Sequence, residues 1–275
     1  MDNFFLLLLV GLMIGTVGTL IGAGGGFILV PLLILVHPEF SAEITAAISI
    51  AVVAGNAISG SIAYARAGRI DFRAGLVFAA FTIPGSILGV YATRFIPKML
   101  FDIVFGFLLI ILAVFLFINK KRPAAEEQIQ EEQSRWKNHL LKDHVGNVYN
   151  YTYNQTLGIL ISTGVGFLSP LLGIGGGIIH VPALVRLLKF PIPIATATSH
   201  FILAIMASVS VVVNLVNGNY SSDYVVRLVL GLGIGVLFGA QIGAYLSHKL
   251  KGSVIIKALA ICLALVGARI IFAHF

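Results

Sequence analysis

Two short stretches of this 275-residue sequence decide its fold. The first is Gly-Ala-Gly-Gly-Gly-Phe-Ile-Leu-Val-Pro at residues 22–31, and the second is Gly-Ile-Gly-Gly-Gly-Ile-Ile-His-Val-Pro at residues 173–182, an offset of 151. Further glycine landmarks repeat in the same order, namely Gly68 with Gly218 at an offset of 150, and Gly85 and Gly89 with Gly239 and Gly243 at an offset of 154. Landmarks repeated in one order indicate that the chain is one unit duplicated.

The composition is typical of a membrane protein. Hydrophobic residues make up 58% of the chain and charged residues 11%, against about 45–50% and about 25% in an ordinary soluble domain. These values exclude an ordinary cytosolic enzyme, a disordered chain and a secreted disulfide scaffold. Each half contains five apolar stretches. They cover about residues 4–21, 27–36, 44–65, 74–93 and 99–118 in the first half, and 157–172, 178–188, 194–217, 224–246 and 254–273 in the second.

The length of the first apolar region predicts that the chain reverses at the glycines. If residues 4–36 formed one helix, its 33 residues would run for roughly 50 Å, against a hydrocarbon core of about 30 Å. A break at residues 22–26 makes 27–36 a half-length return helix, so each half crosses the membrane an odd number of times. Two such units form an inverted repeat. The predicted fold is therefore an all-α polytopic membrane protein with eight full spans and two short half-helices.

The distribution of basic residues tests this topology, because cytoplasmic loops carry an excess of Lys and Arg. With five crossings per half, 13 basic residues lie on the linker side and 4 on the opposite side, with Lys257 unassigned. With four crossings per half, the counts are 11 and 7. The larger asymmetry favours an inverted five-plus-five repeat with a cytoplasmic linker and both termini outside. A parallel four-plus-four repeat is the alternative.

The charge pattern divides the chain into three regions. Residues 1–118 and 157–275 are the two predicted transmembrane repeats, and residues 119–156 are a linker that contains a basic and an acidic run. Within the linker, apolar residues recur near helical spacing. Residues 124–142 are therefore either a helix that lies on the membrane surface or a solvated segment.

The glycine triplets within the two motifs are the main functional signal. They consist of Gly24, Gly25 and Gly26 in the first half and of Gly175, Gly176 and Gly177 in the second. Glycine permits a positive φ and a close approach of the backbone to a ligand. Where a helix begins after each triplet, free N–H groups and the helix dipole form an anion site without a charged side chain. The alternative interpretation is close helix packing, since glycine is common in membrane helices.

Polar residues inside the apolar stretches are the second signal, because an unpaired polar group in hydrocarbon costs several kcal/mol. Ser49 and Asn56 lie seven residues apart on the third stretch, and Thr198 and Ser199 lie on its repeat mate. We expect these four side chains to line the substrate site together with the glycine triplets. Small hydroxyls also bond to neighbouring helices, which is the alternative role.

His200 is the most informative side chain, since a histidine near the middle of a membrane segment is unusual and titrates near physiological pH. We expect it to bind the anion or to carry a coupling proton. The alternative is a neutral ring bonded to a backbone carbonyl group. His180, in the second short helix, poses the same choice. The repeat mates of these histidines are Ile50 and Leu29, so the two half-sites are chemically unequal.

The motif Gly-x-Gly-Gly-Gly-x-x-x-x-Pro in both halves, followed by Ala-Thr-Ala-Thr-Ser-His-Phe at residues 195–201, resembles the TauE/SafE family of sulfite and organosulfur anion transporters. The resemblance covers nearly the whole chain except the linker. It implies export or uptake of sulfite, sulfonates or related sulfur oxyanions, driven by an ion gradient. The first half departs from the second, because Ile-Ser-Ile at residues 48–50 replaces Thr-Ser-His at residues 198–200. A symmetric coordination of the substrate is therefore not expected.

The sequence lacks the residues that carboxylate proton relays, metal sites and nucleotide-binding sites need. No Asp or Glu lies near the centre of an apolar stretch, the histidines and the single cysteine lack metal-ligand spacing, and no nucleotide-binding motif occurs.

The prediction is an inner-membrane secondary transporter of a small sulfur-containing anion, coupled to the proton gradient. It is not expected to be an enzyme or to use a cofactor, a metal or a nucleic-acid partner. Its expected partners are the anion and the lipid bilayer, and a homodimer is left open. The alternatives are a passive anion channel and transport of a non-sulfur anion.

Overall fold

The computed structural model describes residues 4–118 and 136–247, together with Ala264, Gly267, Ala268 and Ile270. These ranges contain nine helices and one two-stranded hairpin. The helices are α1 (Phe4–Ile21), α2 (Gly26–Val36), α3 (Ala42–Arg66), α4 (Phe72–Thr93), α5 (Lys98–Ile118), α6 (Gln155–Leu172), α7 (Gly177–Arg186), α8 (Ile192–Val216) and α9 (Asp223–Leu246), and the strands are β1 (Trp136–Lys142) and β2 (Val148–Asn154). Nine of the ten predicted apolar stretches therefore coincide with helices. The tenth, 254–273, lies outside the described ranges except at the four positions named.

Six of these helices are long and apolar enough to cross a membrane, namely α1, α3, α4, α6, α8 and α9. The chain is therefore a multi-pass membrane protein. The helices α2 and α7 contain 11 and 10 residues, so neither can span the hydrocarbon core alone, which needs about 20 residues. The predicted count of eight full spans also includes α5, which is 21 residues long, and residues 254–273.

The linker corrects two expectations from the sequence. Residues 136–142 form β1, which pairs antiparallel with β2, so the surface helix expected over 124–142 is wrong for this part. Residues 124–135 lie outside the described ranges. The all-α fold class is likewise incomplete. The physical reason is the alternation along β2, where Tyr151 and Tyr153 are buried, since aromatic residues at every second position favour a half-buried strand.

The hairpin is fixed on the loop between α3 and α4. The backbone N–H of His144 donates to the carbonyl oxygen of Ala67 at 3.1 Å, and the carboxylate of Asp143 lies 3.6 Å from Nε of Arg69. Burial raises the pKa of Asp143, but hydrogen bonds from Asn147 and the charge of Arg69 outweigh burial and hold that pKa below its usual range. Asp143 is therefore ionised at neutral pH and pairs with the buried guanidinium group.

The helices of the two halves pack on each other in reciprocal pairs. The helix α1 packs along α9, and its repeat mate α6 packs along α4, the mate of α9. Gly11 and Gly15 of α1 lie against Leu232 and Val236 of α9, so α1 and α9 run in the same direction. Exchange of equivalent contacts is expected for two copies of one unit related by a twofold axis.

The helices α3 and α8, which are repeat mates, run in opposite directions. Tyr64 near the end of α3 meets the ring of His200 near the start of α8, with 5.7 Å between ring centroids. At the other end, Glu43 near the start of α3 and Asn214 near the end of α8 line one cleft. The two halves of the chain therefore meet along an antiparallel pair of equivalent helices.

Glycines set the distance between the packed helices. A Cβ at Gly235 would lie against the carbonyl oxygen of Leu8 and 2.8 Å from the backbone nitrogen of Leu12. Gly85 and Gly89 lie in the same way against the backbone of α6. The glycine landmarks that repeat at an offset of 154 are therefore packing positions, as small residues at helix contacts in membranes commonly are.

Replacing Gly235 by alanine should force α1 and α9 apart and lower the free energy of unfolding by about 1–3 kcal/mol. The matched control is Gly233→Ala in the same helix, because a Cβ there meets no atom within 4 Å. That change should be neutral or should stabilise α9 by up to about 1 kcal/mol. Unfolding of both purified variants in the same detergent measures the difference. Equal stability of the two variants would contradict the close packing of α1 on α9.

Candidate functional site

The glycine triplets adopt the backbone conformation that their sequence predicts. The φ angle is 78° at Gly24 and 87° at Gly25, and it is 83° at Gly175 and 62° at Gly176. Residues with a side chain rarely adopt this left-handed region. Gly25 and Gly176 are the N-caps of α2 and α7, and neither helix start has a side-chain cap. Each short helix begins at the last glycine of its triplet, one residue before the predicted start.

The two glycine loops are in direct contact inside the protein. A Cβ at Gly26 would lie against the carbonyl oxygen of Gly173, and a Cβ at Gly177 would lie against the carbonyl oxygen of Gly22. All four glycines are buried. Only residues without a side chain permit this approach in both directions, so the starts of α2 and α7 are held next to each other.

The amide groups of these loops are the candidate anion donors. In residues 4–118 and 136–247, the N–H groups of Gly25, Gly26, Gly175 and Gly176 donate to no carbonyl oxygen. A buried N–H group needs a hydrogen-bond partner. The positive end of each helix dipole adds to the attraction for a negative charge. Four N–H groups without a carbonyl partner therefore stand at two neighbouring, buried helix starts.

Two equivalent serines hold the glycine loops in place. The hydroxyl of Ser49 in α3 donates to the carbonyl oxygen of Gly173 at 2.6 Å. The hydroxyl of Ser199 in α8 donates to the carbonyl oxygen of Gly22 at 3.5 Å. Each serine thus binds the loop of the other half at the residue that begins the motif. These bonds give both hydroxyls a positioning role beside the loops.

A buried polar cluster lies next to the Gly22 loop. Nε2 of His200 lies 3.2 Å from Oγ1 of Thr19, and this hydroxyl donates to Oδ1 of Asn56 at 3.0 Å. The hydroxyl of Tyr64 donates to the backbone carbonyl oxygen of Thr19 at 2.9 Å. That carbonyl oxygen also accepts from the N–H of Gly22. The structure therefore brings two predicted site residues, Asn56 and His200, to the loop.

The ring of His200 has polar neighbours on two sides. Nε2 is paired with the hydroxyl of Thr19, and which of the two donates depends on the tautomer of the ring. The carbonyl group of Gly22 also faces the ring. Among the described residues, neither Nδ1 of His200 nor Nδ2 of Asn56 has a partner at hydrogen-bond geometry. Two buried nitrogen atoms of this cluster are therefore without a close partner.

Two other predicted residues make their bonds elsewhere. The hydroxyl of Thr198 accepts from the backbone N–H of Asp71 at 3.0 Å, and the carboxylate of Asp71 accepts from the hydroxyl of Tyr151 in the hairpin at 2.7 Å. Thr198 thus joins α8 to the start of α4 and to the linker. His180 of α7 pairs through Nε2 with the hydroxyl of Ser162 in α6 at 3.0 Å.

The sequence analysis missed two members of the polar cluster, Thr19 and Tyr64. Both are almost fully buried, with exposed fractions of 0% and 1%. The sequence contains a feature that marks each of these two residues. Thr19 precedes the first glycine motif by three residues, and Tyr64 is the only aromatic residue of α3. A hydroxyl one turn before a predicted helix break, and a lone aromatic ring among small residues, mark such positions.

The sequence was compared with models of known protein families. The model of the family described as sulfite exporter TauE/SafE matches residues 7–270. The chain belongs to the TauE/SafE family. The resemblance inferred from the glycine motifs is thereby confirmed, and membership places this TauE/SafE protein among membrane transporters.

Individual TauE/SafE relatives match over nearly the full chain. The probable membrane transporter protein YunE of Bacillus subtilis is 31% identical, over 98% of both chains. The probable membrane transporter protein MJ0441 of Methanocaldococcus jannaschii is 25% identical, over 90% of this chain and 87% of its own. YdhB of Bacillus subtilis, another probable membrane transporter protein, is 26% identical, over 97% and 100% of the two chains. No solved structure matches the chain.

The unequal lengths of the two serine bonds predict unequal stability effects in this TauE/SafE protein. Ser49→Ala should destabilise the protein by about 1–2 kcal/mol, because a short buried hydrogen bond is lost and a carbonyl oxygen is left unpaired. Ser199→Ala should cost less than about 0.5 kcal/mol, because a hydrogen bond near 3.5 Å is weak. Unfolding of both variants in one detergent measures the difference. An equal or larger loss in Ser199→Ala would contradict the assignment.

Proposed function

We propose that this TauE/SafE protein is a secondary transporter of a small sulfur-containing anion, such as sulfite, a sulfonate or a related oxyanion. The observation that carries the proposal is the pair of buried glycine loops whose unpaired amides stand at the starts of α2 and α7. Such helix starts attract an anion through N–H groups and the helix dipole. The sulfur class is taken from the description of the family, sulfite exporter TauE/SafE.

The proposed architecture is an inverted five-plus-five repeat. Mates that are related by a twofold axis in the membrane plane run in opposite directions, and the antiparallel crossing of α3 and α8 supports this relation. The excess of basic residues on the linker side supports a cytoplasmic linker. Access to the glycine loops would then alternate between the two membrane faces as one repeat moves against the other.

The proposed substrate site combines backbone and side-chain donors. Within the two glycine triplets, the N–H groups of Gly25, Gly26, Gly175 and Gly176 bind the anion, whereas those of Gly24 and Gly177 already donate to the carbonyl oxygens of Gly18 and Gly175. Ser49 and Ser199 position the two loops through the bonds described above. Asn56 and His200 supply the unpaired polar atoms on one side. Thr198 does not contact the anion in this proposal, since its hydroxyl accepts a hydrogen bond from the start of α4. It acts indirectly, by positioning α8. The site is asymmetric, because the mates of the two polar residues are Met206 and Ile50.

His200 is the proposed carrier of the coupling proton. Its ring is fully buried beside the Gly22 loop, and its Nδ1 has no hydrogen-bond partner among the described residues. A second proton on the ring adds a positive charge next to the anion site, so proton binding and anion binding favour each other. His180 is the second candidate, and its Nε2 is engaged with Ser162.

Transport by reconstituted vesicles tests the proposed function. We expect flux of one of sulfite, thiosulfate, sulfate or a short sulfonate that depends on an imposed pH gradient, with chloride as the comparison anion. Gly176→Leu should abolish this flux, because a side chain is strained at this φ angle and a Cβ would meet Val165 and Ser169. The matched control is Gly164→Leu, since a Cβ at Gly164 meets no atom within 4 Å.

The outcomes of this experiment separate the alternatives. Flux of a sulfur anion in the control but not in Gly176→Leu would support the site. Equal flux in both variants would remove the glycine loops from the transport path. Chloride flux without dependence on the gradient would favour the passive anion channel. Absence of flux for all sulfur anions in the unaltered protein would contradict the substrate class.

Replacement of His200 by glutamine should remove the pH dependence of anion flux while some flux persists. The reason is that the glutamine amide forms hydrogen bonds but does not take up a proton near neutral pH. The measurement is initial flux across a series of pH values for the variant and for unaltered protein. His180→Gln is the matched comparison. A pH profile that is unchanged in His200→Gln would exclude this residue from proton coupling.

A further inference from the structure

Ser169 is a buried polar residue in the last turn of α6 that belongs neither to the pair of loop-binding serines nor to the polar cluster. Its exposed fraction is 0%, and its hydroxyl has no hydrogen-bond partner among the described residues. A buried hydroxyl group without a partner is costly, because it has lost its hydrogen bonds to water. The Oγ of Ser169 is therefore a candidate contact for a bound molecule.

The side chain of Ser169 lies against the start of α7. A Cβ at Gly176 would be 3.1 Å from both Cβ and Oγ of Ser169. Gly176 is the N-cap of α7, and no side chain caps this helix. The N–H groups of Gly175 and Gly176 donate to no carbonyl oxygen within the described ranges. An unpaired hydroxyl and two unpaired amide groups thus occur together at one buried helix start.

Ser169 takes neither of the two structural roles that are open to a serine at this position. A hydroxyl within a helix commonly donates to the carbonyl oxygen four residues earlier, as Thr163 of α6 does to Ile159 at 3.0 Å. A serine beside a helix start can instead accept from a free N–H group as a cap. The hydroxyl of Ser169 forms neither bond, so it remains available to a ligand at the second glycine loop.

The first half of the chain has no equivalent of this hydroxyl. The offset of 151 between the two glycine motifs relates Gly18 to Ser169 and Gly25 to Gly176. A Cβ at Gly18 would lie 2.5 Å from the backbone nitrogen of Gly25, so a serine does not fit there. The unpaired side-chain atoms beside the first loop are those of the polar cluster instead. Each glycine loop therefore has unpaired polar side-chain atoms beside it, and they are of different kinds.

We propose that Ser169 is a direct ligand of the transported anion at the second glycine loop. This inference rests on the proposed transport function and deepens it, because it assigns a side-chain donor to this half of the site. The hydroxyl donates to an oxygen atom of the anion, beside the N–H groups of Gly175 and Gly176. A hydrogen bond to a charged acceptor is about twice as strong as one between neutral groups, so loss of this hydroxyl weakens anion binding.

Removal of the hydroxyl distinguishes a binding role from a structural one. Ser169→Ala should leave the midpoint of thermal unfolding unchanged or raise it, because no hydrogen bond within the protein is lost. The matched control is Ser162→Ala in the same helix, whose hydroxyl is equally buried and pairs with His180 at 3.0 Å. That change should lower the midpoint by about 2–4 °C. In vesicles, Ser169→Ala should raise the half-saturating anion concentration about tenfold, and by more than it lowers the maximal flux.

Labelling of a cysteine at this position tests the anion contact without any flux. Cys262 is first replaced by serine, and Ser169→Cys then carries the single thiol of the chain. Purified protein in detergent is treated with a thiosulfonate reagent that bears a sulfonate group, or with its trimethylammonium analogue. Relative to free cysteine, Ser169→Cys should favour the anionic reagent by about tenfold or more, since a site concentrates the ion that it attracts. Ser221→Cys, in an exposed loop, is the control and should stay within about threefold of free cysteine.

The result that overturns the proposal is folded Ser169→Cys that shows no preference for the anionic reagent, or that this reagent does not label. Where Ser169→Cys does not fold, Ser169→Ala decides, since a lowered unfolding midpoint or an unchanged half-saturating concentration would contradict a binding role. Absence of sulfur-anion flux together with the expected charge preference would contradict the transport proposal alone. Flux without the charge preference would contradict the role of Ser169 alone.

Discussion

The contact between the two glycine loops is the constraint on which the rest of the structure depends. A Cβ at Gly26 would lie against the carbonyl oxygen of Gly173, and a Cβ at Gly177 would lie against that of Gly22. No side chain fits at either place, and the positive φ angles of the preceding glycines turn the chain between a long helix and a short one. The contact fixes where α2 and α7 begin, so that the starts of the two short helices lie next to each other. The antiparallel meeting of the two halves is built around this point.

Equivalent backbones around this contact carry unequal side chains. Both loops are held by a serine of the other half, but their polar neighbours differ. Thr19, Asn56 and His200 form a cluster beside the first loop, whereas the hydroxyl of Ser169 lies against Gly176 in the second. Tyr64 donates to Thr19 in the cluster beside the first loop, whereas its repeat mate Asn214 donates within its own helix. The two halves therefore share one backbone arrangement and differ in the side chains that surround it.

The linker is joined to this arrangement through one buried carboxylate. Asp71 caps α4 by accepting from the backbone N–H of Ala74, and it also binds Tyr151 and His139 of the hairpin at 2.7 and 2.8 Å. Its own backbone N–H donates to Thr198, which directly precedes the serine that binds the Gly22 loop. Burial, the charge of Asp71 and the hydrogen bond raise the pKa of Tyr151, so this tyrosine stays a donor at neutral pH. The hairpin is thus joined through Asp71 to α8, the helix that carries Ser199 and His200.

The sequence by itself determined what depends on near neighbours along the chain. Apolar length and glycine position set the helix bounds, the break before each short helix and the duplicated unit, because these follow from hydrocarbon thickness and from the φ angles open to each residue. Only the tertiary structure decided which polar groups meet, since the partners of Ser49, Thr198 and Tyr64 lie 124, 127 and 45 residues away. It separated Thr198 from the glycine loops and added Thr19 and Tyr64 to the site. It also placed a strand at residues 136–142. A strand is stabilised by the strand that it pairs with and by the surface on which it packs, and the local sequence pattern contains neither.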